Sequence, residues 1–341
     1  MNSPRETLKS LAYGSGLARL YHRARNRRQL TVAMFHRVLA DGDPRWRAAD
    51  PAWAVSERLF AECLEFFTDY YRVISFGQLL AARQDAALLP DYPLLITFDD
   101  GWADNAEYAL PGLKKHGLPA LLFLVAEAVN RGELWDERLR YAGRRNAIRG
   151  GQWRRLSAEL NLQSGSMEEM IASLTPMEPE RREHLAASLV EDPDASQAAM
   201  VSRRQLSELI AGGVTIGSHG LTHTPVPRAF SPEAEIAGSR AALREMLRME
   251  NPRQEVLSLS FPHGVYEERS IAAARQAGYE FIFTSDQWLT PLEAGKPLPP
   301  VIGRIHISGP DISNARGGLD AAKLAWWLFG RAPASAMGEA A

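Results

Sequence analysis

A parallel (β/α) barrel is the fold this sequence predicts, and three observations predict it. Apolar runs of strand length alternate with stretches of helical periodicity about seven or eight times between residues 30 and 310. No linker or internal repeat divides that span, so the alternation belongs to one sheet. Polar residues stand where the apolar runs stop, and a barrel of this kind carries its chemistry at the carboxyl ends of its strands. His36, Asp99, Asp100, His219, His263 and His306 all fall at or beside such ends.

The first apolar run, Leu30 to Phe35, stops at His36-Arg37. Ser56 then caps a helix in which Leu59, Phe60, Cys63, Leu64 and Phe67 recur at helical spacing. A short strand over Arg72 to Ser75 and a second helix to about Arg83 follow. The run Leu94 to Phe98 ends abruptly at Asp99-Asp100-Gly101, the pattern of a strand covered on both faces and closed by a turn. A helix is predicted over Asp104 to His116, kinked at Pro111 and stopped by Gly117 and Pro119, with a strand over Pro119 to Val125 after it. Residues 131–200 lose the period and become short helical pieces rich in Arg and Glu, far longer than an ordinary connection. They read as a helical insertion that opens with Trp135 and Asp136.

Regularity resumes at the capping box Ser202-Arg203-Arg204-Gln205. The strand Val214 to Ser218 delivers His219. Ser231-Pro232-Glu233 opens a helix to about Met249, with proline at the first helical position and acids in the first turn. The strand Val256 to Phe261 ends in Pro262-His263-Gly264. A helix over Glu267 to Gly278, a strand over Glu280 to Thr284 and a final strand over Val301 to Ile307 complete the barrel at residues 30–310. Residues 311–341 read as a C-terminal tail, poorly ordered after Trp327.

Composition sets the class. With 341 residues, 45% of them hydrophobic and 23% charged, the chain can bury a large core. A net charge of −2, without a basic stripe interleaved with aromatics, argues against nucleic acid as the main partner. The single cysteine, Cys63, rules out an intrachain disulfide and fits a reducing compartment. No run of about 18 apolar residues offers a membrane span, and the N-terminus lacks the apolar core of a secretion signal. A cytoplasmic protein is the expectation. Residues 1–29 stand apart: Arg5 to Arg28 holds seven basic residues against one acid, with Leu8, Leu11, Leu17, Leu20 and Tyr21 between them. Such a basic amphipathic segment either lies on an anionic membrane surface, here the inner membrane face, or packs as a helix on the body.

The chemistry begins with Asp99 and Asp100. Adjacent carboxylates at a strand end repel unless a cation or a proton separates them. About 120 residues on, His219-Gly220-Leu221-Thr222-His223 places two imidazoles four apart directly after another strand. Two His nitrogens and one carboxylate form a catalytic zinc set with positions left for water and substrate. A divalent metal lowers the pKa of its water from 15.7 toward about 7 and polarises a carbonyl, which is chemistry for hydrolysis. The second carboxylate can then act as general base, and a histidine from another strand end can protonate the leaving group.

Thr97-Phe98-Asp99-Asp100-Gly101 and His219-Gly220-Leu221-Thr222-His223 closely resemble the first two motifs of the polysaccharide deacetylases, the NodB-like carbohydrate esterases of family four. The resemblance covers about Leu30 to Ile307. It implies a deformed (β/α) barrel and metal-dependent removal of N-acetyl groups from a polysaccharide, a lipopolysaccharide or a lipid-linked glycan. By the same resemblance Asp99 is the general base. Asp100, His219 and His223 are the ligands of one divalent ion, zinc first, with cobalt, nickel or iron as alternatives.

Phe261-Pro262-His263-Gly264 is similar to the third motif, in which the N–H after the proline holds the oxyanion. Ser260 stands where many members carry an arginine that orients the base, and Arg304 is the candidate to replace it. Of the fourth motif only Asp286 and Trp288 remain. For the acid histidine, one pattern in the family points to His306, in Arg304-Ile305-His306-Ile307. Another, an aromatic-His pair near the start, points to His36 in Phe35-His36-Arg37, and His36 is the preferred candidate because it closes an apolar run. The alternative functions are an O-deacetylase, a deformylase or another C–N hydrolase on a smaller substrate, or a non-catalytic glycan-binding protein.

Overall fold

Residues 4–47, 49–191, 199–248 and 255–334 are described by the structure, a computed structural model. Two helices, α1 (Pro4–Gly14) and α2 (Leu17–Arg25), precede β1 (Gln29–Phe35), β2 (Arg37–Leu39) and β3 (Ala54–Ser56). Then come α3 (Glu57–Tyr70), β4 (Arg72–Val73), α4 (Phe76–Ala81), β5 (Pro93–Phe98), α5 (Leu110–His116) and β6 (Ala120–Leu124). The connection from β6 carries α6 (Ala128–Arg131), α7 (Trp135–Arg144), α8 (Gly150–Glu159), α9 (Met167–Leu174), α10 (Pro179–Ser188) and α11 (Arg203–Ala211) before β7 (Val214–Ser218). The chain continues through α12 (Ser239–Arg248), β8 (Ser258–Ser260), α13 (Glu268–Gln276), β9 (Phe281–Phe283), β10 (Thr290–Pro291) and β11 (Val301–Ile302). Last are β12 (Ile305–His306), α14 (Gly309–Ile312) and α15 (Ala321–Phe329).

β1, β5, β6, β7, β8, β9 and β11 pair in that order, all parallel. On the other side of β1 the short antiparallel β10 pairs with Gln29 and Leu30, and β12 pairs beyond it, with Ala33 beside Ile305 and Met34 beside His306. The result is the nearly closed barrel of mostly parallel strands that the sequence predicts. The expected single strand over Val301 to Ile307 is instead two short ones serving different neighbours. Gly303 breaks it: a Cβ there would lie 2.5 Å from both the Asp286 carbonyl and the Trp288 indole nitrogen. The next amide, Arg304 N, donates to Asp286 O (3.0 Å) rather than to a ladder. Asp286 and Trp288 therefore set the path of the closing segment.

Strand side chains alternate between two faces. Val32, Leu95, Leu121, Phe123, Phe283 and Ile302 belong to one buried cluster, and Ala33, Phe35, Ile96, Phe98, Leu122 and Leu124 pack with the helices in another. The first set fills the barrel, and Thr97 and Asp99 continue its face from Leu95. The helix expected over Asp104 to His116 is irregular just ahead of Pro111. A π-turn over Asn105–Ala109 widens it, with Leu110 N bonding back to Asn105 O. That turn accommodates Pro111, which lacks an N–H and would press on the preceding turn of a regular helix.

The tail is more ordered than its composition suggests: Leu324, Ala325, Leu328 and Phe329 of α15 are buried, and residues 335–341 lie outside the described residues. α15 also holds the N-terminal helices. His22 stacks on Phe329 at 4.1 Å, and Arg25 donates to the carbonyls of Phe329 and Arg331, each at 2.7 Å.

Candidate active site

Adjacent residues of a strand face opposite ways, so Asp99 and Asp100 can share one cleft only if the chain leaves the strand between them. It does so at Asp100, whose φ is 73°, and at Gly101, whose φ is 91°. Position 101 must be glycine, because a Cβ would sit 2.2 Å from Leu124 Cδ1. Both carboxylates then line a cleft of about 390 Å³ at the carboxyl ends of the strands, with His36, His219, His223 and Trp53. Trp102 Nε1 donates to Asp100 Oδ2 (2.8 Å). That leaves Oδ1 facing His223 Nε2 at 3.2 Å and His219 Nε2 at 3.4 Å.

The two histidines are aimed by their other ring nitrogens. His219 Nδ1 bonds the Ser260 carbonyl at 2.9 Å, and His223 Nδ1 bonds Asp136 Oδ1 at 3.2 Å. Each ring so held turns Nε2 toward Asp100. The loop between them is folded around Glu235, whose Oε2 accepts from Leu221 N (2.9 Å) and Thr222 N (3.1 Å) and whose Oε1 accepts from the Thr222 hydroxyl. His223 has a φ of 61° and His263 one of 57°. With Asp100 they are three of the six non-glycine residues at positive φ among those described, and strain of that kind collects where side-chain aim matters.

The donor set suits a cation. One atom each from Asp100, His219 and His223 lies within 4.8 Å of the others, and all three residues are buried. Burial would lower the proton affinity of His223, but Asp136 and Asp100 outweigh it and raise its pKa well above the usual value. Burial acts on Asp100 in the opposite sense and is overcome by the two imidazoles, which hold its carboxyl well below the ordinary range. The pocket thus stabilises positive charge beside Asp100, which a divalent ion would provide. A second close group, Asp136, His223 and His263, shares His223. Since His223 Nε2 faces Asp100, Asp136 is its outer support.

Asp99 has a different partner. Arg304 Nη1 donates to Oδ1 (2.6 Å) and Nη2 to Oδ2 (2.7 Å), while Nη2 also donates to Ser260 Oγ (2.7 Å). Ser260 thus leaves room for a guanidinium that comes from the segment after β11, two strands along the sheet from β8. Burial pushes the Asp99 carboxyl up, and the Arg304 charge outweighs it and holds the pKa below the usual range. His36 Nε2 lies 3.9 Å from Asp99 Oδ2. Its backbone is held by Asn105 Nδ2 on His36 O (2.8 Å), and next to it Arg37 is paired with buried Asp104 (2.8 Å).

His306 does not line the cleft. Its ring meets that of His36 edge-on at 5.6 Å, and Trp53 lies 4.6 Å from both rings. In the turn Pro262–Gly264, Gly264 N bonds Phe261 O (3.0 Å) and Val265 N bonds Pro262 O (3.3 Å). The amide that follows the proline, His263 N, is not spent in those bonds, and His263 and Gly264 line the cleft.

Three supports escaped the sequence reading. Asp136, fully buried, reaches the site from α7, the insertion helix. Its position just after Trp135 at the head of the insertion was the only signal. Arg182 of α10 donates to Thr224 Oγ1 (2.9 Å) behind the histidine loop, and nothing in its stretch of sequence marks it. Glu235 reads in the sequence only as one of the acids in the first turn of its helix.

Residues 89–282 match the polysaccharide deacetylase family, and the chain belongs to that family. A Bacillus subtilis protein named as a polysaccharide deacetylase, YxkH, is 21% identical over 196 residues, 57% of this chain. The match takes in 44% of that protein, so the chain spans less than half the length of this curated relative. Among solved structures, the deacetylase PplD of Streptococcus pyogenes, in complex with acetate, superposes with a TM-score of 0.55 at 17% identity, over 84% of this chain and 94% of that one. IcaB from Ammonifex degensii gives 0.54 at 20% identity, over 88% and 96%. At such identities the likeness speaks for the fold: a NodB-type barrel.

Proposed function

We propose that the chain removes N-acetyl groups from sugars of an exopolysaccharide, a lipopolysaccharide or a lipid-linked glycan, using one divalent metal ion, zinc first, held by Asp100, His219 and His223. The observation that carries this reading is the division of labour between adjacent carboxylates. Asp100 faces two imidazole nitrogens, while Asp99 is turned to a guanidinium and stays ionised.

When bound, the metal would supply a Lewis acid for the acetamido carbonyl and a more acidic water. Asp99 takes a proton from the attacking water, since each of its oxygens keeps a lone pair beyond the bond to Arg304. The His263 amide, in a turn whose His263 and Gly264 line the cleft, donates to the oxygen on which charge develops, as preorganised donors do most effectively. His36, in the cleft beside Asp99, gives a proton to the departing amine. Trp53, 46% exposed at the mouth, offers an aromatic face to the sugar ring.

The test is acetate release from N-acetylated oligosaccharides. Turnover should vanish with a chelator and return on adding zinc, cobalt or nickel. Release of formate instead, or cleavage of O-acetyl esters alone, would move the reading to another hydrolase, and no turnover with any metal would remove it.

A further inference from the structure

We infer that α1, α2 and the cleft beside α2 form a docking surface for an anionic phospholipid bilayer, a property separate from the hydrolytic reading. Eight large apolar side chains are exposed among the described residues, and five of them, Leu8, Leu11, Leu17, Leu20 and Tyr21, lie in this one helical pair. Single exposed apolar residues are ordinary, but a cluster marks a contact. The spacing is that of one helix face: Leu8 and Leu11 on α1, and Leu17, Leu20 and Tyr21 on α2. The opposite face of α2 is already occupied, with Ala18 and His22 buried against the body. The four leucines are each 59–68% exposed, so the outward face is the unpartnered one.

Charge selects the occupant. Lys9, Arg19 and Arg23 are exposed among the leucines. Arg19 and Arg23 also line a cleft of about 440 Å³ with Arg72, Asp69, Tyr70 and Tyr92. Asp91, the other acid of the cleft, is taken by Arg27 (2.9 Å) and Arg28 (3.6 Å). The three cleft arginines therefore face a single acid, Asp69, and forked guanidinium donors match phosphate oxygens.

A second copy of the chain fits poorly. A two-fold contact sets each patch against its own image, which would press Lys9, Arg19 and Arg23 on like charges. An anionic bilayer complements both features. The helices would lie in the plane of the interface, leucines toward the acyl chains and arginines at the phosphodiesters. No helix among the described residues is long and apolar enough to cross the membrane.

The experiment is sedimentation of the full chain with phosphatidylcholine vesicles, with and without phosphatidylglycerol. Two variants are compared, Arg19→Gln/Arg23→Gln/Arg72→Gln and Leu8→Ser/Leu11→Ser/Leu17→Ser/Leu20→Ser, each checked by circular dichroism. Wild type should bind only the phosphatidylglycerol vesicles and lose binding as salt rises. The arginine variant should bind about 100-fold more weakly, and the leucine variant should stay in solution. Because the three arginines are surface residues outside the core, their variant keeps the test valid should the leucine variant misfold. Wild type that ignores phosphatidylglycerol, or variants that bind as well as it does, would overturn the proposal. So would a wild-type dimer that the leucine variant turns into monomers without any vesicle binding.

Discussion

Arg304 and Asp99, both buried, are joined by two parallel hydrogen bonds of 2.6 and 2.7 Å. Removing one member of such a pair strands the other charge in the interior. Arg304→Ala is therefore expected to cost about 3–5 kcal/mol of stability, read from urea unfolding. Arg304→Lys keeps the charge and loses the fork, so it should fold better than the alanine variant and still turn over poorly. An Arg304→Ala protein as stable as wild type would show that Asp99 is held by something else.

Asp99→Asn should retain the metal and lose about 10²–10⁴-fold in turnover, the usual worth of a general base and about 3–5 kcal/mol of barrier. Asp100→Asn, His219→Ala and His223→Ala should each lose metal and turnover together. Metal content by elemental analysis, set beside acetate release, separates the two kinds of defect. If Asp99→Asn strips the metal and Asp100→Asn keeps it, the two carboxylates exchange roles.

An acid for the leaving amine must carry a proton near neutrality. Burial pushes His306 down to about 4, which leaves it neutral there. Burial lowers His36 too, outweighing the opposing pull of Asp100 and Asp99, so proton affinity does not separate the two; His36 is preferred because it lines the cleft. His36→Ala should abolish the alkaline limb of the rate profile and cost about 10²–10⁴-fold, whereas His306→Ala should cost less and keep the bell. The reverse pattern would assign the acid to His306.

Asp136 touches no substrate in this scheme; it positions His223 (3.2 Å) and also His263, whose Nε2 is 3.4 Å from its other oxygen. Asp136→Asn should weaken metal affinity by about 10–100-fold, measured by competition with a chelator. His263→Ala should leave that affinity near wild type. Equal affinities for wild type and Asp136→Asn would reduce Asp136 to a packing residue.

Acid should loosen the attachment of the N-terminal helices. Burial lowers His22 from 6.5 to about 4, against a smaller opposing pull from its bond to the Tyr70 carbonyl. Between those values the unfolded chain takes up a proton that the folded one refuses. The contribution is thus intact above about pH 6.5 and lost as pH falls toward about 4, by roughly 3 kcal/mol at most. Urea unfolding across that window should show a shallower slope for His22→Leu than for wild type, and parallel slopes would contradict the assignment.

What could be read in advance was whatever is local in sequence. Asp99-Asp100-Gly101 and His219 to His223 announce themselves because an apolar run, a turn and a donor set are contiguous, and the barrel followed from alternation alone. Arg304 was found by a gap, since Ser260 left the base without a cation. The split of the last strand was hidden because it depends on Trp288 and Asp286 crowding Gly303, a contact that no periodicity encodes. Asp136 sits in the stretch where the pattern dissolves. The insertion, read in the sequence only as short helical pieces, supplies a support of the donor set through Asp136.

The pairing of Asp99 with Arg304 also sets an order of events during synthesis. The two residues are 205 positions apart, and at about 5–20 residues per second the ribosome adds the second roughly 10–40 s after the first. Throughout that interval β5 has already presented its carboxylates, and the histidine loop joins them partway. The buried acid has no countercharge until the last barrel strand arrives. A nascent chain is therefore both unable to close its sheet and unable to pair Asp99 until residue 304 has been made, so the closed barrel and the neutralised carboxylate arrive together.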